Sequence, residues 1–125
     1  MCARIVYKRQ VFKPGDRVPV EIDGCTGELV WGDGYNPPFA RKESLDSRWF
    51  RKGWQSCHIL ADGFAERSRA TGELVWGRAD GKLYGLHRAG TVVVVTREAT
   101  PAELHRYGHN RHPIIVKEAY KCHSG

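Results

Sequence analysis

Alternating apolar and polar residues predict strands along most of the chain. Residues 17–22 place Val18, Val20 and Ile22 at every second position, which is the period of a strand with one buried face. Residues 91–97 contain four consecutive valines, and such β-branched residues favour a core strand. The Asp-Gly pairs at 62–63 and 80–81 indicate tight turns, the second of them a hairpin. Further strands are predicted over residues 4–12, 28–31, 56–60, 64–67, 73–76, 82–86 and 114–116.

Two short segments carry helical signals. In residues 44–53 the large apolar side chains recur at helical spacing, and the segment ends on a glycine. Residues 100–103 combine an N-cap threonine, a proline at the first helical position and a capping-box glutamate. Gly108 is expected to end this second helix.

Many strands and two short helices predict an α+β fold, built around a curved, barrel-like antiparallel sheet. We expect one domain over residues 1–125, with a C-terminal tail at about 118–125. The sequence Thr-Gly-Glu-Leu-Val-Trp-Gly occurs at 26–32 and again at 71–77, although the flanking residues differ. Two copies are too few for a solenoid, so we interpret them as equivalent turn-and-strand pieces of one sheet system.

The charge balance points toward polyanionic partners. The chain has 125 residues, with 20 Lys+Arg against 14 Asp+Glu and a formal net charge of +6. Such a surplus favours nucleic acid first, the alternative being a basic surface without a specific partner. The longest aliphatic run is four valines, and the first nine residues lack the apolar stretch of a signal peptide. We therefore expect a soluble cytoplasmic protein that does not enter a membrane.

The cysteine pattern favours neither disulfides nor zinc. The four cysteines include no Cys-x-x-Cys pair, and a disulfide framework is not expected inside a cell. Cys57-His58 and Cys122-His123 could be imagined as a split zinc site. Adjacent side chains of a strand point to opposite faces, however, so both rarely reach one ion. We predict no metal and no cofactor.

Cys2 has distinctive chemistry if Met1 is removed. The chain then begins with an α-amine next to a thiol, and an α-amine with a pKa near 7.7–8.0 is partly neutral at pH 7. It can add to an aldehyde to form a Schiff base, after which the thiol closes a stable five-membered thiazolidine. A cysteine in this position can also be a matter of chance.

Three further polar residues follow predicted structural elements. Glu66 comes after the Asp62-Gly63 turn, and His109 follows the capped helix; both residue types suit proton transfer. Arg41 follows a proline-rich loop and could hold a phosphate bidentately. Taken singly, each also fits an ordinary surface or loop position.

Together these pieces resemble the SOS response-associated peptidase (SRAP) family, whose members cross-link to abasic sites in single-stranded DNA. The corresponding segments occur in the family's order through most of the chain. They are residues 1–4 (Met-Cys-Ala-Arg), 29–32 (Leu-Val-Trp-Gly), 40–44 (Ala-Arg-Lys-Glu-Ser), 47–50 with 54–55, 57–66 (from Cys57 to Glu66), 91–96 and 109–114 (His-Asn-Arg-His-Pro-Ile).

The resemblance implies a role for each matched residue. Cys2, after loss of Met1, would be the nucleophile that forms the thiazolidine with the ring-opened abasic sugar. Glu66 would orient the α-amine, shuttle its protons and assist removal of Met1, while His109 would act as general acid or base on the sugar. The resemblance implies phosphate contacts by Arg41, Arg111 and, more weakly, Arg4. Trp31 and Trp49 could stack on exposed bases, but the apolar pattern around each of them favours core packing instead.

The chain also departs from the family pattern. Phe39 stands where the family has an asparagine that positions the aldehyde oxygen, and phenylalanine cannot make that hydrogen bond. The chain is shorter than the usual member, as a minimal or phage- or mobile-element-encoded member would be. The resemblance thus implies a monomeric, nucleoid-associated protein that binds single-stranded DNA. Two alternatives stay open: a non-covalent single-strand binder with a degenerate site, and a cysteine peptidase using Cys2 and His109.

Overall fold

The computed structural model describes residues 2–35 and 37–117. Met1, the predicted tail at 118–125 and the Cys122-His123 pair therefore lie outside the described residues. The strands are β1 (Cys2–Tyr7), β2 (Gln10–Phe12), β3 (Arg17–Ile22), β4 (Cys25–Trp31), β5 (Phe39–Arg41), β6 (Gln55–Arg67), β7 (Leu74–Arg88), β8 (Thr91–Glu98) and β9 (Arg111–Pro113).

Within residues 2–35 and 37–117, helical turns occur at the two places that the sequence predicts. Residues 42–52 form a run of short turns, namely 3₁₀ turns at Lys42–Ser44 and Phe50–Lys52 that flank a π turn at Leu45–Trp49. The run ends at Gly53, which has a φ of 89°, a conformation that glycine adopts without steric cost.

The second helix, α1 (Pro101–Tyr107), is confirmed with its predicted ends. The Thr100 hydroxyl accepts the Glu103 N–H, and the Glu103 carboxylate accepts the Thr100 N–H, which completes the capping box. Gly108 closes the helix in the left-handed conformation. This closure sets the direction in which the following segment leaves α1.

The predicted α+β class with a curved sheet is confirmed. β6 pairs with β1, β3 and β7, whereas β8 pairs with β4, β5, β7 and β9. The path β6–β3–β4–β8–β7 leads back to β6, so the strands are partly ring-like without forming a barrel. The sheet is mixed rather than purely antiparallel, because β4 and β5 both run parallel to β8.

Two apolar clusters cover the two faces of the sheet system. The larger contains Trp31, Phe64 and Tyr107 and lies inside the curve. The smaller packs Trp49 and Trp54, from the 42–52 run and its exit, against Val93 and Val95 of β8. The valines of β8 thus alternate between the clusters, which explains why all four are buried.

The two Asp-Gly turns predicted at 62–63 and 80–81 are wrong. β6 and β7 run through both positions as one long antiparallel pair, from Gln55 opposite His87 to Arg67 opposite Leu74. The pairing register shifts between Ala61 and Gly63, and both Asp-Gly pairs lie at this one irregularity within the continuous strand pair. Twelve cross-strand pairs outweigh the local turn preference, and the chain reverses instead between Arg67 and Leu74.

The last predicted strand is displaced. β9 is Arg111–Pro113, which pairs with Thr96–Glu98 of β8, whereas Ile115 makes only an isolated bridge to Leu83. The helix cap at Gly108 delivers the chain to the edge of β8 directly after α1, and pairing therefore begins three residues earlier than the apolar pattern predicts.

The repeated heptapeptide is not structurally equivalent in its two copies. Residues 26–31 lie entirely in β4, but the second copy enters β7 only at Leu74. Trp31 is fully buried, whereas Trp76 is 44% exposed. Identical residues therefore have different surroundings, because different neighbouring strands cover them.

Replacing Gly77 with alanine is expected to destabilise the protein by about 1–3 kcal/mol. A Cβ at Gly77 would collide with the Tyr107 hydroxyl oxygen and lie 2.8 Å from the Phe64 ring, so these two packed rings would have to shift. Gly27→Ala is the control, because a Cβ there meets nothing within 4 Å. Urea unfolding of both variants measures the difference, and equal midpoints would contradict this packing.

Candidate functional site

Cys2 and Glu66, 64 positions apart, are directly opposite each other on β1 and β6. Both side chains are fully buried, and the Cys2 thiol donates to the Arg4 carbonyl oxygen at 3.2 Å. The register shifts between Cys2 and Arg4, so a bulge separates Cys2 from the regular part of the strand. Bulges of this kind re-aim a side chain at a strand end.

Burial governs the protonation of both groups. It raises the pKa of the Glu66 carboxyl to about 7, and the positive charge of the chain's amino terminus acts in the opposite direction. It also raises the pKa of the Cys2 thiol well above its ordinary value, and the Glu66 charge adds to this effect. A carboxyl that titrates near neutrality can both accept and donate a proton at physiological pH.

His109 is held as a neutral imidazole with a defined tautomer. It follows the Gly108 cap, is 7% exposed, and its Nδ1 accepts the Arg111 backbone N–H at 3.1 Å. Burial, with the positive charges of the amino terminus and Arg69, lowers its pKa to about 4. A neutral ring that accepts at Nδ1 carries its proton on Nε2, so His109 presents a donor there.

His109 lines a cleft with two adjoining halves. One half has a volume of about 420 Å³ and the other about 380 Å³, and the two share Phe39, Arg69 and His109. Cys2 and Glu66 do not line the cleft themselves. Their chain neighbours Ala3 and Arg67 do, so the buried pair lies directly next to the first half.

Phe39 gives the cleft an apolar wall. It is half-buried at the start of β5, opposite Val94 of β8, and its ring meets the Trp31 ring edge-on at 6.1 Å between centroids. Pro37 and Pro38 continue this wall in the second half, and Pro14 adds to it in the first. The position that the sequence marks as altered therefore lies at the centre of the cleft.

Arg111, which the resemblance makes a phosphate ligand, also has hydrogen-bond partners within the protein. Two of its nitrogens donate to the Glu43 carboxylate at 2.9 Å each. Further bonds run to the side chain and carbonyl oxygen of Thr96 at 3.2 and 2.7 Å. The Arg111 side chain lowers the Glu43 pKa to about 2. Arg111 thus anchors the segment whose backbone N–H orients His109.

The structure places the two tryptophans in the core, the role that the apolar pattern around each of them favours. Trp31 is fully buried, with its indole N–H donating to the Pro38 carbonyl oxygen at 3.0 Å. Trp49 is 5% exposed and packs edge-on against Trp54. A buried ring cannot stack on a nucleobase unless the surrounding core repacks.

The other two predicted arginines line the cleft, as Arg111 does. Arg4 lines the first half and Arg41 the second. Sequence reasoning missed Arg67, Ser68 and Arg69, which lie where the chain leaves β6. The only available signal was a pair of arginines directly after Glu66, and without the tertiary structure that pair reads as an exposed turn.

The described residues hold neither a candidate metal-binding group nor a candidate membrane-spanning helix. Within residues 2–35 and 37–117, no group of three His, Cys, Asp or Glu side chains is placed to hold a metal ion. No helix in the same ranges has both the length and the apolar character needed to cross a bilayer.

Comparison with known proteins supports the fold alone. No protein-family model matches the chain, and no curated protein matches it. One similar solved structure is a crystal structure of a Bordetella bronchiseptica protein determined by a structural genomics consortium. It has a TM-score of 0.65 at 24% sequence identity, and the match covers 88% of this chain and 72% of that one.

Proposed function

We propose that this protein caps abasic sites in single-stranded DNA by forming a covalent thiazolidine through Cys2, the activity of the SRAP family that its motifs resemble. The observation that carries the proposal is the pairing of Cys2 with Glu66. This pairing puts a carboxyl with a pKa of about 7 next to the residue that becomes the amino terminus when Met1 is lost. The cleft beside the pair is lined by His109 and several arginines.

The first step is removal of Met1. Water adds to the Met1 carbonyl carbon, the Met1–Cys2 amide bond breaks, and the amide nitrogen takes up a proton to become the Cys2 α-amine. Glu66 accepts the proton of the attacking water and delivers it to the leaving nitrogen. This step explains peptidase-like chemistry without activity on other proteins.

The second step is opening of the abasic sugar. An abasic deoxyribose is mostly a closed hemiacetal, and the ring must open to expose its C1′ aldehyde. The C1′ hydroxyl releases its proton to water as the C1′ carbonyl forms, the bond from C1′ to the ring oxygen breaks, and that oxygen takes up a proton from water. The His109 Nε2–H donates a hydrogen bond to the ring oxygen during this exchange. Because this imidazole is neutral with a pKa of about 4, it acts as a hydrogen-bond donor rather than as a cation at pH 7.

The third step is ring closure on Cys2. The α-amine nitrogen attacks the aldehyde carbon, Glu66 relays the protons, and loss of one water gives an imine. The thiol sulfur then adds to the imine carbon and its proton passes to the nitrogen, which completes the thiazolidine. Overall, one C–N bond and one C–S bond form and one water leaves, with no oxidant or reductant.

One observation favours a second candidate, a non-covalent single-strand binder. Phe39 stands at the junction of the two cleft halves, and its side chain cannot hydrogen-bond to an aldehyde oxygen. The retention of Cys2, Glu66 and His109 at one place in the fold favours the covalent reaction, with the Nε2–H of His109 as the remaining donor to the sugar.

Intact-mass spectrometry tests the proposal. The protein is mixed with a single-stranded oligonucleotide that contains one abasic site and, separately, with the same oligonucleotide carrying a thymine there. We expect a heat-stable adduct with the first only, at the mass of the protein without Met1 plus the oligonucleotide minus one water. Absence of this adduct from protein that has lost Met1 would reject the covalent function and leave the non-covalent candidate.

A further inference from the structure

The cleft is lined by more positive charge than the matched motifs account for, because Arg67 and Arg69 belong to none of the predicted phosphate contacts. Its two halves are lined by five arginines and by no aspartate or glutamate. The arginines are Arg4, Arg41, Arg67, Arg69 and Arg111. A cavity walled by one sign of charge concentrates ligands of the opposite sign.

Four of the five arginines keep their charge available. Arg111 is neutralised by Glu43, but among residues 2–35 and 37–117 no carboxylate forms an ion pair with the other four. Arg4 and Arg67 instead donate to the backbone carbonyl oxygens of Ala3 and Gly72, at 2.7 and 2.6 Å. These bonds orient the guanidinium groups without cancelling their charge.

The arginines are distributed along the cleft rather than gathered at one point. Arg4 and Arg67 line only the first half, Arg41 lines only the second, and Arg69 lines both. Between them lies the apolar wall centred on Phe39. Positive charge toward both ends and an aromatic ring between them match single-stranded nucleic acid, whose phosphates meet cations while its bases meet aromatic side chains.

We infer that Arg67 and Arg69, which the resemblance does not assign, form a phosphate subsite in the first half of the cleft beside Arg4. Arg41, a phosphate ligand that the resemblance implies, then receives the next phosphate of the same strand in the second half. The two phosphates then flank the nucleotide held against Phe39 and His109. This inference rests on the proposed function for the identity of the strand, but the subsite concerns undamaged single-stranded DNA as well.

Arg69 also links this subsite to His109. Its backbone N–H donates to the Gly108 carbonyl oxygen at 3.0 Å, and its charge is one of the causes that lower the pKa of His109. The turn after β6 is therefore tied to the cap of α1. A phosphate on Arg69 would sit beside the ring that acts on the adjacent sugar.

The salt dependence of DNA binding tests the subsite without any covalent chemistry. Undamaged single-stranded oligonucleotide is titrated by fluorescence anisotropy into the Cys2→Ala protein between 50 and 200 mM salt, with and without Arg67→Gln and Arg69→Gln. Each lost phosphate contact lowers the magnitude of the log–log slope by about 0.7 for a single strand. We expect a reduction of that size from each substitution, and retention of the slope in Arg67→Lys and Arg69→Lys.

Arg78→Gln is the matched control, because it removes one positive charge from β7 at a side chain that is 91% exposed and lines neither cleft half. The single variant Arg69→Gln is also measured, because Arg69 is held in the fold by its backbone N–H and the substitution leaves that hydrogen bond in place. If the Arg67 and Arg69 variants match Arg78→Gln, the subsite is rejected. Equal affinity for inorganic polyphosphate of the same charge would likewise reject a strand-specific site.

The subsite and the proposed function can fail separately. A wild-type protein that forms no adduct while the slope still depends on Arg67 and Arg69 would overturn only the covalent reaction. An adduct that forms while the slope ignores both arginines would overturn only the subsite.

Discussion

Cys2→Ala is expected to abolish the heat-stable adduct with abasic single-stranded DNA while leaving non-covalent binding to the same oligonucleotide unchanged. The thiazolidine needs the thiol, and alanine offers only the α-amine. An amine alone stops at the imine, which water hydrolyses on heating. The loss should therefore be complete rather than partial, because no other described cysteine lies opposite Glu66.

Cys25→Ala is the matched control for this experiment, since Cys25 is an exposed thiol on β4. It should form adduct at the wild-type rate. Cys2 is fully buried, so a thermal melt must accompany the comparison to show that Cys2→Ala is folded at the assay temperature. Persistence of a heat-stable adduct in folded Cys2→Ala would refute Cys2 as the nucleophile.

Glu66→Gln is expected to leave Met1 on most of the purified chains and to slow adduct formation by about 10²–10⁴-fold. Glutamine keeps the shape of the side chain and its ability to hydrogen-bond, but it cannot take up or release a proton. To separate the two effects, the variant is also prepared from a cleavable fusion that leaves Cys2 as the first residue. Glu28→Gln, an exposed position on β4, is the control.

The pH dependence of the reaction gives a second readout for Glu66. The folded pKa of its carboxyl is about 7, and the ionised form accepts protons from the α-amine. The wild-type rate should therefore rise with pH and show a break near 7 that Glu66→Gln lacks. A break of equal size in both proteins would assign the titration to another group.

The same pKa has a consequence for stability, with a definite sign. The folded pKa of Glu66 is raised from 4.5 to about 7, so the folded state binds more protons than the unfolded state between these values. Stability contributed by the neutral carboxyl is present below about pH 4.5 and is lost as the pH rises through about 7. At pH 8, Glu66→Gln should be more stable than the wild type by on the order of 3 kcal/mol, whereas at pH 4 the two should be similar. Denaturant unfolding at both pH values measures this.

The sequence predicted those features that depend on neighbouring residues, such as the ends of α1. The capping box of α1 and its closing glycine follow from residues 100–108, because each signal is satisfied by backbone groups within one turn. The strand at 17–22 and the buried run in β8 were predicted correctly, because their patterns reflect which face meets the core. The turns predicted at the two Asp-Gly pairs are wrong, because a local turn preference is weaker than the many cross-strand pairs between β6 and β7.

For the candidate site, the sequence predicted the reactive residues but not their arrangement. The sequence alone singled out Cys2, Glu66 and His109 as chemically capable residues and Phe39 as a departure from the family pattern. It could not show that Cys2 and Glu66 are paired across two strands, or that Phe39 and His109 share a cleft. Those facts depend on strand register and on where α1 delivers the following segment.

Tertiary structure alone also decided which charges are free and which rings are accessible. The sequence could not show that the guanidinium group of Arg111 pairs with Glu43, which is 68 positions away. Trp31 and Trp76 occupy the same place in identical heptapeptides, yet one is buried and the other is exposed. Residue type and spacing determine what a side chain can do. Whether it is paired, covered or open to a ligand depends on distant segments, which are brought to it only when the whole sheet closes.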